Sequence, residues 1–297
     1  MSSPAIRTSV AIGGAVVTYL PDGYALLNPA VVFASGSNVD WASHSEDLDA
    51  YGRVLISMGS FLIESEGKRI LVDLANGDIA LEIPDVVKGR GGQLLDSLAA
   101  AGLRPEDVDI VVFSHLHPDH VGWTSTGGEL TFPNARHLVS DLEWAFWTGA
   151  EGGGPNAPDA QTVIEPLKQK VELISDGAVI APGVTVQATP GHTPGHLSVV
   201  VTDPAGVLPG RVLILSDVVH WAGQLVECDV VFGADADAAQ ARATRDTILG
   251  ESADRDTIIA AGHFSDQVFG KIRTTDSGLS WVTLAGSSVG ADRVSGR

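Results

Sequence analysis

Short apolar runs separated by Gly, Pro, Ser and Asp set the texture of this chain. Such runs predict strands covered on both faces, as in a layered fold with helices outside the sheets. Residues 60–64 and 69–73 read as two strands joined by the turn-forming Ser65-Glu66-Gly67-Lys68. Leu94, Leu95, Leu98 and Ala101 recur at helical spacing, predicting a helix over 93–103 that Gly102 and Pro105 end. A continuous apolar run predicts a strand at 108–113.

The second half repeats this order. Residues 135–139 read as a strand, and Ser140 with Glu143 has capping-box spacing for a helix through Trp147. Residues 149–158, rich in Gly, Pro and Asn, predict a mobile loop, and Pro166 weakens a helix over 161–170. Strands follow at 184–188, 197–202, 211–215 and 257–260, with Asp235 placed to cap a helix over 238–249. Together these elements predict two sheets packed face to face with helices outside. No linker divides them into independent domains.

Composition narrows the function. With 297 residues and a hydrophobic share of 44%, the chain can bury a substantial core. No apolar run approaches the roughly 20 residues of a membrane helix. The start Met1-Ser2-Ser3-Pro4-Ala5-Ile6-Arg7 lacks the pattern of a secretory signal. The single cysteine, Cys228, excludes an internal disulfide and reads as a small buried hydrophobe. These features predict a soluble, cytoplasmic enzyme. A formal net charge of −19 disfavours nucleic acid and anionic membranes as partners, leaving a small-molecule substrate. The acidic residues of 229–237 read as a solvated turn and a helix start.

The chemistry concentrates at His115-Leu116-His117-Pro118-Asp119-His120, directly after the 108–113 strand. Side chains on one strand alternate faces and Pro118 opposes regular structure, so the segment reads as a loop that can turn several donors to one point. Imidazoles with a carboxylate suit zinc and similar divalent ions. Three further strand ends carry donors: Thr189-Pro190-Gly191-His192-Thr193-Pro194-Gly195-His196, Ser216-Asp217 and Gly262-His263. Loops at strand ends commonly carry function on a rigid scaffold.

In this order and spacing the segments resemble the metallo-β-lactamase superfamily of metallohydrolases, over roughly residues 55–270. The resemblance implies an α/β fold, an αββα sandwich with metals at one sheet edge. It implies a single domain over 1–297, with roughly the first 50 residues an extension that adds to the pocket or to a homodimer contact. It implies that His115, His117 and His192 hold one metal, that Asp119, His120 and His263 hold a second, and that Asp217 bridges them. The cofactors are then two divalent ions, zinc foremost, with Mn, Co or Fe as alternatives. Paired metals can bridge a hydroxide that attacks a lactone, ester or amide carbonyl, with Asp119 carrying a proton to the leaving group. Asp73, which ends an apolar strand, resembles the family's early strand-end aspartate that supports the metal loop. His196 reads as either a support for His192 or Asp217 or a packing residue. His44 and His137 read as ordinary surface or core histidines.

Residues 189–198 are similar to both N-acyl-homoserine lactone lactonases and glyoxalase II. Quorum-quenching lactonases often carry a tyrosine three residues after the bridging aspartate; His220 stands there, able to donate a hydrogen bond to a developing oxyanion. Asp217-Val218-Val219-His220, Gln224 and His263-Phe264 look closer to the broader lactonase and methyl-parathion-hydrolase-like branch, whose members cleave lactones, aryl esters or organophosphates. Trp123, Trp144, Phe146, Trp147 and Trp221 are candidates for an apolar substrate wall. Residues 240–245 read as scaffold. The alternatives are a thioester hydrolase like glyoxalase II, an organophosphate hydrolase and a mono-iron persulfide dioxygenase. The full seven-ligand set weighs against the last.

Overall fold

Alternation along the strands decides the layers. The computed structural model describes residues 2–33, 39–227, 229–276 and 278–284, so Cys228 lies outside the described residues. Ile70 and Val72 point to one face of their strand and Leu71 to the other; Ile110 and Val112 oppose Val111 in the same way. In the second sheet Val212 and Ile214 oppose Leu213. One set of faces meets between the sheets, where Val17, Phe61 and Val72 pack with Val199, Ile214 and Phe269. The other faces lie under helices. Leu94 and Leu98 of Leu94–Ala100 and Trp147 of Asp141–Thr148 cover the larger sheet. Ile248 and Leu249 of Ala238–Ser252 cover the smaller one. Helix, sheet, sheet, helix is the expected αββα sandwich.

Among the described residues the larger sheet has nine strands. From one edge its main path runs Val171–Ile174, Arg136–Ser140, Ile110–Val112, Lys68–Val72, Val54–Ser65, Ala15–Leu27, Val87–Arg90 and Ala80–Ile83. The smaller, of seven strands, contains Val184–Ala188, Leu197–Val201, Arg211–Ile214 and Thr257–Ala260 in that spatial order. Ile110–Val112 runs parallel to both its neighbours, and Arg211–Ile214 runs parallel to Thr257–Ala260. Carboxyl ends of such strands are where α/β sheets place ligands. A backbone bond from Leu197 N to Ser114 O (2.9 Å) joins the sheets there.

Three local expectations change. Pro118 does not hold its segment in a loop; it takes the first position of the helical turn Pro118–Val121, where its missing N–H costs no hydrogen bond. Ser140 and Glu143 form no capping box, because the Ser140 side chain makes no cap bond and Glu143 is buried elsewhere. The cap of Ala238–Ser252 is Asp237, whose carboxylate accepts from Gln240 N at 3.0 Å, and not Asp235. The N-terminal region is woven into the sheet. Ala15–Leu27 is an interior strand, paired on both sides, with a bulge at Pro21–Gly23 that tolerates the proline.

His137 is a core histidine, stacked on Phe113 at 6.5 Å, and burial pushes its imidazole down to about 4. Above pH 6.5 it is neutral in both native and unfolded chains. Between pH 6.5 and 4 the unfolded chain takes up a proton that the native chain does not, so stability falls as pH falls, by about 3 kcal/mol in all. Denaturant titrations at pH 7 and pH 5 should show His137→Phe losing less stability on acidification than the parent chain. An equal loss in both removes His137 as a cause.

Candidate metal centre

Asp217 is the hub of the site. It follows the strand Arg211–Ile214 and is held by Ser216, whose φ of 50° is unusual for a residue with a side chain. Its two oxygens face separate groups of imidazoles. Oδ2 lies 3.3 Å from His192 Nε2 and 3.9 Å from His115 Nε2. Oδ1 lies 3.1 Å from His120 Nε2 and 3.2 Å from His263 Nε2. His117 joins the first group through Nδ1, 2.8 Å from His192 Nε2. Asp119 joins the second, with Oδ2 3.7 Å from both His120 and His263. All seven residues expected as ligands therefore converge.

The orientation of three of these rings is set by what the other nitrogen touches. His120 Nδ1 donates to Asp73 Oδ2 (2.9 Å), His192 Nδ1 to Asp235 Oδ1 (2.8 Å) and His263 Nδ1 to the Ser57 carbonyl (2.9 Å). Each bond leaves Nε2 aimed at the centre, the arrangement that tunes metal-binding histidines. Asp73 also accepts from Ser114 N and Ser114 Oγ (both 2.7 Å), so it does support the loop. His196 is a support too. Its Nε2 accepts from Asp217 N (3.2 Å), which leaves Nδ1 to donate to Thr189 Oγ1 (2.8 Å).

Electrostatics suit cations. Burial holds His115 and His192 well below the ordinary imidazole range and His117 down at about 3, so all three are neutral donors at pH 7. Burial opposes charge on His120 and His263 as well, but the nearby Asp217 carboxylate carries both above that range. Burial raises Asp217, and the surrounding imidazoles, His120 foremost, overcome it and hold the group ionised. His115 Nε2 is buried without a hydrogen-bond partner. The donor atoms of His115, His117 and His192 lie within 4.8 Å of one another, as do those of Asp119, His120 and His263. Nitrogen and carboxylate donors so packed, with an orphaned nitrogen among them, fit a divalent metal ion.

Sequence reasoning missed two carboxylates that support this centre. Asp235 is buried and bonds His192, and Arg245 Nη2 stands 3.9 Å behind it. Glu143 is buried between the two histidine segments. In sequence both sit at helix starts, where an acidic residue predicts a cap. Arg245, in the stretch read as scaffold, is fully buried and donates to Val218 O (2.9 Å) and Val230 O (2.8 Å).

The aromatic wall also differs from expectation. Trp123 donates Nε1 to Asp22 (2.9 Å) and packs, like Trp144 and Phe146, against the core beneath the helices. Trp147 sits edge-on to His117 at 5.6 Å. Trp221 is buried against Phe33, Trp41 and the half-buried His44, with Nε1 on Asp47 (3.1 Å). The cavity over the metal donors, about 400 Å³, is lined instead by Leu27, Ile56, Met58, Leu81, Val87 and other aliphatics, with Phe232 and residues 155–156 at its side. His220 lies at its floor, stacked on Phe232 at 3.8 Å, with Nε2 3.1 Å from Asp217 Oδ2.

The chain belongs to the metallo-beta-lactamase superfamily, whose family model matches residues 60–263. It is 32% identical over 170 residues to N-acyl homoserine lactonase AttM of Rhizobium radiobacter, an alignment covering 48% of this chain and 59% of that protein. It thus spans about three fifths of that relative's length. Its fold is similar to that of AidC, a dizinc quorum-quenching lactonase solved with a product, at a TM-score of 0.82 and 23% identity, covering 96% of this chain and 98% of that one. The hydrolase AbOPH of the beta lactamase superfamily has a TM-score of 0.78 and 26% identity, covering 94% and 98%. Among the described residues no helix is long and apolar enough to cross a membrane.

Proposed function

We propose that this protein is a two-metal hydrolase that opens a lactone or cleaves a carboxylic or aryl ester carrying an apolar group. The observation that carries this reading is Asp217, whose two oxygens each face their own set of imidazoles at the floor of an aliphatic cavity. His115, His117 and His192 would hold one ion, Asp119, His120 and His263 the other, with Asp217 shared. The all-nitrogen-and-carboxylate donor set suits zinc, and manganese, cobalt or iron can take the same ligands. When bound, such ions polarise a carbonyl and lower the pKa of water to about 7.

The remaining roles belong to side chains. Asp119, half-buried at the cavity, is the group to carry a proton to the leaving oxygen. His220, at the cavity floor, is the donor for the oxygen on which charge develops. The aliphatic walls take an acyl chain or an aryl group. Among the described residues lining the cavity none is Lys or Arg, so the carboxylates of an anionic thioester find no lysine or arginine along its walls. The chain acts as one domain, in which residues 25–32 supply part of the pocket wall.

The test is a panel of N-acyl lactones from butanoyl to dodecanoyl, an aryl ester, a phosphotriester and a glutathione thioester, each with zinc-, manganese- and iron-loaded protein. Lactone or aryl-ester turnover should dominate, with kcat/KM rising with chain length. His220→Phe should lower kcat by about 10²-fold at similar KM. Failure to hydrolyse any member with two metals bound sinks the proposal.

A further inference from the structure

Glu143 takes no part in the hydrolysis just proposed, yet it is a carboxylate with no solvent exposure at all. It lies in the first turn of the helix Asp141–Thr148. Its Oε1 accepts from Leu116 N at 3.0 Å and Trp147 Nε1 at 2.6 Å. Its Oε2 accepts from Thr193 Oγ1 at 2.6 Å and Gly195 N at 3.1 Å. Leu116 stands between His115 and His117, and Thr193 follows His192. Trp147 in turn lies edge-on to the His117 ring. One carboxylate therefore fastens both segments that carry His115, His117 and His192.

Glu143 makes no bond to the anchors of the other half, which meet the first half through Ser114 Oγ, 2.7 Å from Asp73 Oδ2 and 3.0 Å from His115 Nδ1. His120 leans on Asp73, and His263 leans on the Ser57 carbonyl. We infer that Glu143 is a positioning residue that sets the metal affinity of the His115–His117–His192 half without touching the ion, and leaves the other half unaffected. The inference rests on the two-metal reading above.

Two features make the carboxylate specific to this task. The helix and the 191–196 turn are in direct contact: a Cβ on Gly195 would lie 2.1 Å from Glu143 N, which leaves no room for water to substitute. The backbone amides and the indole among its four partners can only donate, and the threonine hydroxyl can donate as well. An amide in its place presents NH₂ to two of these donors whichever way it is turned. It must therefore give up both Leu116 N and Trp147 Nε1 or, turned the other way, Gly195 N, keeping Thr193 only by making that hydroxyl accept instead of donate. A well-packed apolar residue would fill the space but release both segments.

Zinc titrations of the full chain against a chromophoric chelator test this. The parent chain should bind two zinc ions in resolvable steps. Glu143→Gln should weaken one step by about 10- to 100-fold, the range for groups that orient metal-binding histidines, and leave the other unchanged. A His263→Ala chain, altered in the opposite half, should weaken the complementary step and so assigns the two. Thr193→Val, which removes one donor by a near-isosteric change, should shift the Glu143 step in the same direction by less. If Glu143→Gln does not fold, Thr193→Val decides. Unchanged steps, or both steps weakened together, overturn the inference. A parent chain that binds fewer than two ions overturns the two-metal reading instead, and the inference with it.

Discussion

Asp217→Ala is expected to lower kcat/KM by at least about 10³-fold and to leave the protein with less than its full metal complement. The carboxylate is the single group that both halves of the centre face, at 3.1–3.3 Å from His120, His192 and His263. Without it, neutral and positively charged imidazoles are left to face one another in a buried space. His120 and His263 are held above the ordinary range by Asp217 and would then lose that support. Metal content by elemental analysis and steady-state kinetics on the purified variant check this. Two metals retained, with kcat/KM within tenfold of the parent, would contradict the bridging role.

Arg245→Met should destabilise the native state by about 3–5 kcal/mol, as expected when one partner of a buried polar cluster is removed. The guanidinium donates to the carbonyls of Val218 and Val230 and stands 3.9 Å from Asp235. Methionine fills much of the volume but takes the Arg245 donor from the Val218 carbonyl, leaves Val230 O with Gln224 Nε2 alone at 3.4 Å, and removes the positive charge standing beside the buried Asp235 carboxylate. The damage should extend to the metal centre, because Asp235 orients His192 and Val218 adjoins Asp217. Denaturant midpoints for metal-free and zinc-loaded protein measure both effects. A loss below about 1 kcal/mol in each state would show that the arginine is dispensable.

Much of this arrangement is legible in the chain. The apolar runs at 69–73, 108–113, 211–215 and 257–260 fall on strands buried on both faces, and the candidate donors follow strand ends, as the pattern predicts. The strand Ala15–Leu27 escapes the pattern because Pro21-Asp22-Gly23 breaks it, and only pairing on both sides turns that break into a bulge. Glu143 and Asp235 escape for a different reason. An acidic residue near a helix start has the same local spacing whether it bonds its own backbone or reaches a distant loop. Glu143 reaches across 27 positions to Leu116 and 50 to Thr193, and no short-range signal encodes those distances. The tryptophans make the same point. Proximity of Trp123 and Trp221 to metal segments in sequence suggests a wall of the main cavity, but their indole N–H groups find carboxylates in Asp22 and Asp47 and the rings pack into apolar clusters, Trp221 beside a smaller cavity that His220 and His263 also line.

The donors come from opposite sides of the sandwich. His115, His117, Asp119 and His120 follow a strand of the larger sheet, while His192, Asp217 and His263 follow strands of the smaller one. Each candidate ion would therefore be gripped by both sheets at once and act as a rivet across their seam. Apolar packing between two such layers resists separation but only weakly resists sliding. Ligation would fix that remaining degree of freedom at the edge where substrate arrives. Cohesion of that edge and readiness for chemistry then become one equilibrium, set by how much metal is available.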